Sequence, residues 1–136
     1  GLLSGIYNKL HNKSKVIGVE PVGACSMTIA MSKQEPINLR YIDRFIDGAA
    51  VSKIGELNFD ILNKNVGVHT VTNYEVCKEI VDLYNYDGII AEPAGALSVA
   101  GLNKIKEKNK KIVCIISGGN NDITRYNQIL KFYNSD

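Results

Sequence analysis

Apolar residues recur at two different spacings along the chain. Residues 1–10 (GLLSGIYNKL) place apolar side chains three and four positions apart, which predicts a helix. Short apolar or alternating runs at 15–20 (KVIGVE), 66–72 (VGVHTVT) and 111–117 (KIVCIIS) predict strands. The last run has no polar alternation, so it predicts a strand buried on both faces, as in a parallel sheet. A brief extended piece is predicted at 88–93 (GIIAEP).

Helical patterns lie between these runs. The clearest start is Thr72, because Glu75 follows at the spacing of a capping box and a periodic run then continues to about Asn85. Further helices are predicted at 23–32, 55–64, 94–105 and 121–133. This alternation predicts an α/β fold, with a mostly parallel sheet flanked by helices. No repeat or linker indicates a second domain.

Composition narrows the class of protein. The 136 residues are 45% hydrophobic and 22% charged, which fits one globular domain. No apolar run approaches the roughly 20 residues of a membrane helix. The net charge of +2, with scattered lysines, gives no basis for nucleic-acid binding. We therefore expect neither a membrane nor a nucleic-acid partner.

Cysteine and histidine usage argues against several kinds of site. The three cysteines (Cys25, Cys77 and Cys114) are far apart and have no metal-type spacing, so reduced thiols and a cytoplasmic location are expected. His11 and His69 are isolated from possible partners. The glycine patterns of P-loops and of dinucleotide-binding folds are both absent.

The most informative short stretch is CIISGGNND, in which a predicted buried strand ends at Ser117. Ligands of open α/β sheets bind at such strand ends. Gly118 and Gly119 then leave the backbone bare for a ligand, and Asn120 or Asn121 can cap the next helix. A plain strand-to-helix turn with a good cap explains the same residues, and both readings stay open on this pattern alone.

Two further stretches are candidates for a site. Glu92 in AEPAGALS stands among apolar residues, where a buried carboxylate needs a partner. Because Pro93 suits a first helical position, Glu92 is equally explained as a residue at a helix start. Gly1 opens the first helix, whose free N–H groups could hold an anion, although glycines often precede helices.

These stretches together carry a resemblance to a known family. The motifs are VIGVEP (16–21), IDRFIDGAAV (42–51), EPAGALS (92–98) and ISGGNND (116–122). In this order and spacing the chain resembles biosynthetic threonine dehydratases (threonine deaminases), which belong to the tryptophan-synthase-β-like class of pyridoxal-phosphate enzymes. The resemblance runs over nearly the whole chain. It implies part of the large domain of a fold-type-II enzyme.

The resemblance also implies where this chain belongs in the full enzyme. Residues 1–136 correspond to the C-terminal portion of the catalytic domain. The part that bears the Schiff-base lysine lies upstream and a regulatory domain lies downstream in relatives, so both are expected to be absent here. No catalytic residue is therefore expected in this chain. Alone it should be inactive, with an unusually apolar surface that favours self-association.

The resemblance assigns cofactor-binding roles to six residues. Gly1 and Leu2 match the end of a glycine-rich loop that holds the phosphate of pyridoxal 5'-phosphate. Ser117 matches a serine whose hydroxyl hydrogen-bonds the pyridine nitrogen, and Glu92 matches a glutamate of the pocket. Gly118 and Gly119 would leave room for the ring.

Some relatives bind a metal ion through a glutamate, a carbonyl and an aspartate that follow a strand. The matching positions here are Glu20, Ala24 and Ser26. Serine in place of aspartate removes a charge, so no metal is expected, and Glu20 and Ala24 remain weak candidates.

The implied activity is β-elimination from L-threonine, giving 2-oxobutanoate and ammonia at the entry to isoleucine biosynthesis. L-Serine is a possible second substrate, and the full-length enzyme is expected to be a homo-oligomer. Two alternatives stay open. One is a serine dehydratase or serine racemase of the same class, and the other is a non-catalytic α/β binding module.

Overall fold

The computed structural model of the chain describes residues 1–107 and 109–135. Its described part contains six α-helices and two β-strands. The helices are α1 (Leu2–Leu10), α2 (Ser26–Lys33), α3 (Glu56–Leu62), α4 (Asn73–Asp87), α5 (Pro93–Ala100) and α6 (Tyr126–Tyr133). The strands are β1 (Ile17–Pro21) and β2 (Gly67–Val71). Short 3-10 turns occupy Val22–Ala24, Asp47–Ala49, Gly101–Lys104 and Ile123–Arg125.

The two strands pair in parallel, in a register that runs from Ile17 opposite Gly67 to Pro21 opposite Val71. Helices α2 and α3 lie in the connection between them. The predicted strands at 15–20 and 66–72, their parallel pairing and the flanking helices are therefore confirmed. All the predicted helices are present, although the one at 94–105 ends as a 3-10 turn and the one at 121–133 begins as one.

Helix α4 begins as the sequence predicts. The Thr72 hydroxyl accepts a hydrogen bond from the Glu75 backbone N–H (3.2 Å), and a Glu75 carboxylate oxygen accepts one from the Thr72 N–H (2.7 Å). The helix ends at Gly88, whose φ of +66° is a left-handed conformation that glycine adopts without steric cost. Both ends of α4 are thus set by local sequence.

Two apolar clusters hold the elements together. One lies between β2 and helices α4, α5 and α6, and its fully buried members include Val76, Ile80 and Ile129. The other joins α2 and α3, around Phe59 and Leu62. The first cluster fixes α5 next to β1 and so positions the loops that follow and precede this helix.

The predicted strand at 111–117 is wrong, because this segment has no regular secondary structure. Burial on both faces also fails, since Val113 is 86% exposed. A strand needs a neighbour for its ladder of hydrogen bonds, and β2 is the strand that pairs with β1 in the described part of the chain. The segment instead bonds to α5, where the Ser98 hydroxyl donates to the Ile115 carbonyl (2.9 Å). The brief extended piece predicted at 88–93 forms no strand either.

Across the two described ranges, no helix has both the length and the apolar character needed to cross a membrane.

Candidate active site

A large open cavity of about 1070 Å³ lies between α1, β1, α5 and the segment 110–117. Gly1 and Leu2 line it at the start of α1, and Ser117 lines it at the end of the segment. The Ser117 side chain is exposed, and within the described residues its hydroxyl has no hydrogen-bond partner. The structure therefore brings three of the predicted site residues to one cavity and leaves the hydroxyl free to bind a ligand.

The start of α1 provides a place for an anion. Gly1 is the N-cap, and its amino group donates to Asn58 Oδ1 (3.3 Å). Among the described residues no side chain accepts from the N–H groups of the first turn, which contains no acidic residue. Ser4 is buried nearby, where its hydroxyl donates to Asn58 Oδ1 (2.9 Å) and links α1 to α3. The first N–H groups of a helix carry a partial positive charge. This end of α1 faces the cavity without a carboxylate of its own to neutralise it.

Glu92 lies beside the cavity and contacts the loop after Ser117. Its backbone N–H donates to the Gly118 carbonyl (3.1 Å). A Cβ atom at Gly118 would overlap Glu92 Oε1, and one at Gly119 would lie 2.6 Å from the Ile90 carbonyl oxygen. Packing against residues 90–92 thus gives a reason for both glycines, separate from clearance for a cofactor ring.

The helix cap that the sequence predicts at Asn120 or Asn121 is wrong. Asp122 fills this role, since its Oδ1 accepts hydrogen bonds from the Thr124 N–H (2.9 Å) and hydroxyl (2.7 Å). These two bonds hold the pKa of Asp122 below its usual value. Asn121 instead donates to the Ala91 carbonyl (3.1 Å) and so ties the loop to the start of α5.

Gly48 and Ala49 also line the cavity, and sequence reasoning did not select them. A Cβ at Gly48 would lie 2.8 Å from that of Ala94 and 3.8 Å from Glu92 Oε1. The Asp47-Gly48 pair in IDRFIDGAAV is a dipeptide that favours a turn. The position of Gly48 beside Glu92 depends on tertiary packing, which a local turn signal in the sequence does not reveal.

The candidate metal residues around β1 have another role in this structure. The Glu20 carboxylate accepts hydrogen bonds from the Met27 N–H (3.1 Å) and the Thr28 N–H (2.7 Å), so it caps α2. Ser26 is neutral, and its buried hydroxyl is unpaired. Residues 1–107 and 109–135 contain no group of three or more His, Cys, Asp or Glu side chains that could hold a metal ion.

Two of the three thiols, Cys77 and Cys114, are poor nucleophiles. Burial raises the pKa of the Cys77 thiol to about 12. The pKa of Cys114, which lines the cavity, is raised by burial and by the nearby Glu79 carboxylate. Because the thiolate is the reactive form, neither side chain suits covalent catalysis at neutral pH.

Comparisons with known proteins agree with the resemblance in the motifs. The sequence profile of the family described as "Pyridoxal-phosphate dependent enzyme" matches residues 1–118. The biosynthetic L-threonine dehydratase IlvA of Corynebacterium glutamicum is 48% identical over 136 residues, which cover 95% of this chain and 31% of that protein. The resemblance to biosynthetic threonine dehydratases is thereby confirmed.

Solved structures agree in fold. The processed form of threonine deaminase isoform 2 from Solanum lycopersicum has a TM-score of 0.89 and 32% identity, covering 98% of this chain and 41% of that one. Serine racemase from Dictyostelium discoideum has a TM-score of 0.75 and 32% identity, covering 90% of this chain and 41% of that one.

The chain spans about a third of the length of the curated relatives it matches. The family profile covers all the residues that line the cavity, from Gly1 to Ser117, so the start of α1 and Ser117 both fall inside the match. The chain therefore belongs to the family of pyridoxal-phosphate dependent enzymes.

Proposed function

We propose that residues 1–136 are the C-terminal portion of the catalytic domain of a biosynthetic threonine dehydratase. The full enzyme would convert L-threonine to 2-oxobutanoate and ammonia by β-elimination, at the entry to isoleucine biosynthesis. The identity of 48% to a biosynthetic threonine dehydratase supports this assignment. The observation that carries it is that the Ser117 hydroxyl and the uncapped start of α1 open into one cavity.

The residues that line this cavity fit pyridoxal phosphate. The cofactor has an anionic phosphate and, at the other side of its ring, a pyridine nitrogen that accepts a hydrogen bond. The N–H groups at Gly1 and Leu2 suit the phosphate, because a helix start attracts anions. The free hydroxyl of Ser117 suits the nitrogen. When bound, the cofactor supplies the electron sink for the reaction.

Ser117 would tune that electron sink through a neutral contact. A hydroxyl can donate a hydrogen bond to an unprotonated ring nitrogen, whereas a carboxylate would keep that nitrogen protonated. The ring then withdraws less negative charge from the reacting carbon of the substrate. We infer that this favours prompt loss of the β-hydroxyl group.

Glu92, Gly118 and Gly119 would hold Ser117 in place. Glu92 bonds through its backbone to Gly118 and fills the space beside it with its side chain. Gly119 lets the chain pass close to the Ile90 carbonyl. We propose that these contacts fix the direction of the Ser117 hydroxyl and that the glycines also leave the ring accessible.

The rest of the catalytic domain would complete the sheet. The cavity separates β1 from the segment 111–117, and both line it. Ile112 and Val113 are exposed there, although their pattern is that of a buried strand. We propose that another part of the full protein supplies a strand between them and also the Schiff-base lysine. This strand would leave the end of the cavity at Gly1 and Ser117 for the cofactor. The regulatory domain would follow this portion of the chain.

Assays of the full-length protein test this function. Purified enzyme with pyridoxal phosphate should release 2-oxobutanoate from L-threonine faster than pyruvate from L-serine, and residues 1–136 alone should release neither. Bound cofactor without release of either 2-oxo acid would contradict the assignment and favour a binding module.

A serine-specific enzyme of the same class is the second candidate, favoured by the likeness to the Dictyostelium serine racemase. Formation of D-serine or of pyruvate as the main product, with little 2-oxobutanoate, would select it. We further propose a cytoplasmic, homo-oligomeric enzyme. The free cysteines support the location, and the exposed apolar side chain of Ile123 supports association.

A further inference from the structure

Arg125 joins two loops that come together at the cavity. It lies in the 3-10 turn Ile123–Arg125, which follows directly on the Ser117–Asp122 loop. Its guanidinium Nη2 donates to the Phe45 carbonyl across 2.6 Å, over a sequence separation of 80 residues. The same group lies 5.1 Å from the centre of the Phe45 ring. One side chain thus fixes the backbone of a distant loop by a charge-assisted hydrogen bond and a cation–π contact.

The loop that Arg125 holds leads into the cavity wall. Phe45 is buried and is followed by the turn that carries Gly48 and Ala49, which both line the cavity. Gly48 packs against Ala94 at the start of α5, close to the Glu92 carboxylate. Glu92 in turn contacts Gly118, so the two loops meet again at the start of this helix.

The contacts of Arg125 differ in strength. The side chain is 26% exposed and its bond to the Phe45 carbonyl is part-buried at 2.6 Å, so this bond is partly shielded from water. Arg125 also pairs with Asp47, but at 3.6 Å and with an Asp47 side chain that is 74% exposed. Exposed ion pairs contribute little. The bond to the carbonyl is therefore the contact that sets the position of the loop.

We propose that Arg125 is a positioning residue for the cofactor site. It would hold the 45–49 loop against the Ser117–Asp122 loop, so that Gly48 and Ala49 keep their places in the cavity wall. It touches neither cofactor nor substrate and acts through the two loops. This inference rests on the proposed use of the cavity as the cofactor site.

The test uses the full-length enzyme and three variants. Arg125→Gln loses the charge-assisted bond, and we expect the Kd of pyridoxal phosphate to rise about tenfold. Asp47→Asn removes only the exposed pair, and the Kd should stay within about twofold of wild type. Val66→Ala trims a buried side chain of the second apolar cluster, which contains no residue of either loop, and lowers the melting temperature. It should leave the Kd unchanged.

Two results would overturn the proposal. One is a Kd for Arg125→Gln within about twofold of wild type. The other is an equal rise in Arg125→Gln and Val66→Ala, which would show a general loss of stability. If Arg125→Gln does not fold, Arg125→Lys takes its place, since lysine keeps the charge but lacks the planar guanidinium group. For Arg125→Lys, a rise in Kd between about twofold and about tenfold supports the proposal, and an unchanged Kd contradicts it.

The Kd separates this inference from the proposed reaction. Wild-type enzyme that binds the cofactor but does not act on threonine would disprove the proposed reaction. The role of Arg125 would still be tested by comparing the Kd values of wild type and variants. Active enzyme in which Arg125→Gln leaves the Kd of pyridoxal phosphate unchanged would disprove the positioning role alone.

Discussion

Glu92 and Gly118 are joined by two contacts. The Glu92 N–H donates to the Gly118 carbonyl at 3.1 Å, and its side-chain Oε1 fills the space that a Cβ at Gly118 would need. Gly118 directly follows Ser117, so these contacts set the position of the serine at the cavity. The glutamate at the start of α5 and the glycine after the serine are therefore one structural unit.

This unit predicts a specific double-mutant result. Gly118→Ala should destabilise the chain by about 1–3 kcal/mol, because the new methyl group overlaps the Glu92 carboxylate. Glu92→Ala in the same chain should recover part of this loss by making room. Chemical denaturation measures each free energy of unfolding.

Gly67→Ala is the matched control, since a Cβ there would meet nothing within 4 Å. It should change the free energy of unfolding by less than about 0.5 kcal/mol. Strictly additive effects of Gly118→Ala and Glu92→Ala would show that the two residues do not share the space.

Ser117→Asp in the full-length enzyme should slow release of 2-oxobutanoate by about a hundredfold, because a carboxylate changes the charge at the ring nitrogen. The visible absorption spectrum of the bound cofactor should change with it. Ser117→Thr keeps the hydroxyl and should keep the wild-type spectrum. An unaltered spectrum and rate in Ser117→Asp would argue that this side chain does not reach the cofactor.

The capping box of α4 predicts a pH dependence. Burial raises the pKa of Glu75, but the hydrogen bonds from Lys104 and Thr72 outweigh it, so the pKa lies below the usual 4.5. The Glu75–Lys104 pair is 2.5 Å long. Its contribution to stability is fully present above pH 4.5 and is lost as the pH falls through the lowered pKa of the folded state.

Glu75→Gln should therefore cost about 0.5–1 kcal/mol at neutral pH and progressively less in acid. Thermal unfolding across the acidic range measures the difference between the two proteins. Lys104→Gln should show the same convergence with wild type. A constant difference at every pH would exclude the ionised carboxylate as its source.

The segment 111–117 should behave differently in the chain of 136 residues and in the full-length enzyme. In the shorter chain its amide protons should exchange rapidly with solvent, because none of the described residues provides a ladder partner for the segment there. In the full enzyme a neighbouring strand should protect them. Hydrogen exchange read by mass spectrometry compares the two, with α4 as the internal standard. Equal exchange in both proteins would mean that no strand docks at this segment.

The sequence was sufficient for elements whose signals are local. The Thr72 and Glu75 cap and the parallel pair of strands were all predictable, because capping and alternation depend on neighbouring residues. The strand predicted at 111–117 does not form, since a strand with this apolar pattern needs a neighbouring strand that the described residues do not supply.

The residues of the candidate site also divide into those with local sequence signals and those whose role depends on distant contacts. Ser117, Glu92 and Gly1 carry motifs and could be selected in advance. Gly48 and Arg125 could not, because their importance comes from contacts with Glu92 and Phe45, each more than 40 residues away. Asp122 has the capping role instead of the asparagines because the helical turn begins at Ile123, two residues after the predicted start.

The structure of the full-length enzyme with bound pyridoxal phosphate tests the central claim most directly. The distance to measure joins Ser117 Oγ and the pyridine nitrogen. We predict a hydrogen bond of about 2.7–3.2 Å, with the phosphate at the start of α1. A ring nitrogen that faces another group, with Ser117 turned away from it, would contradict the account.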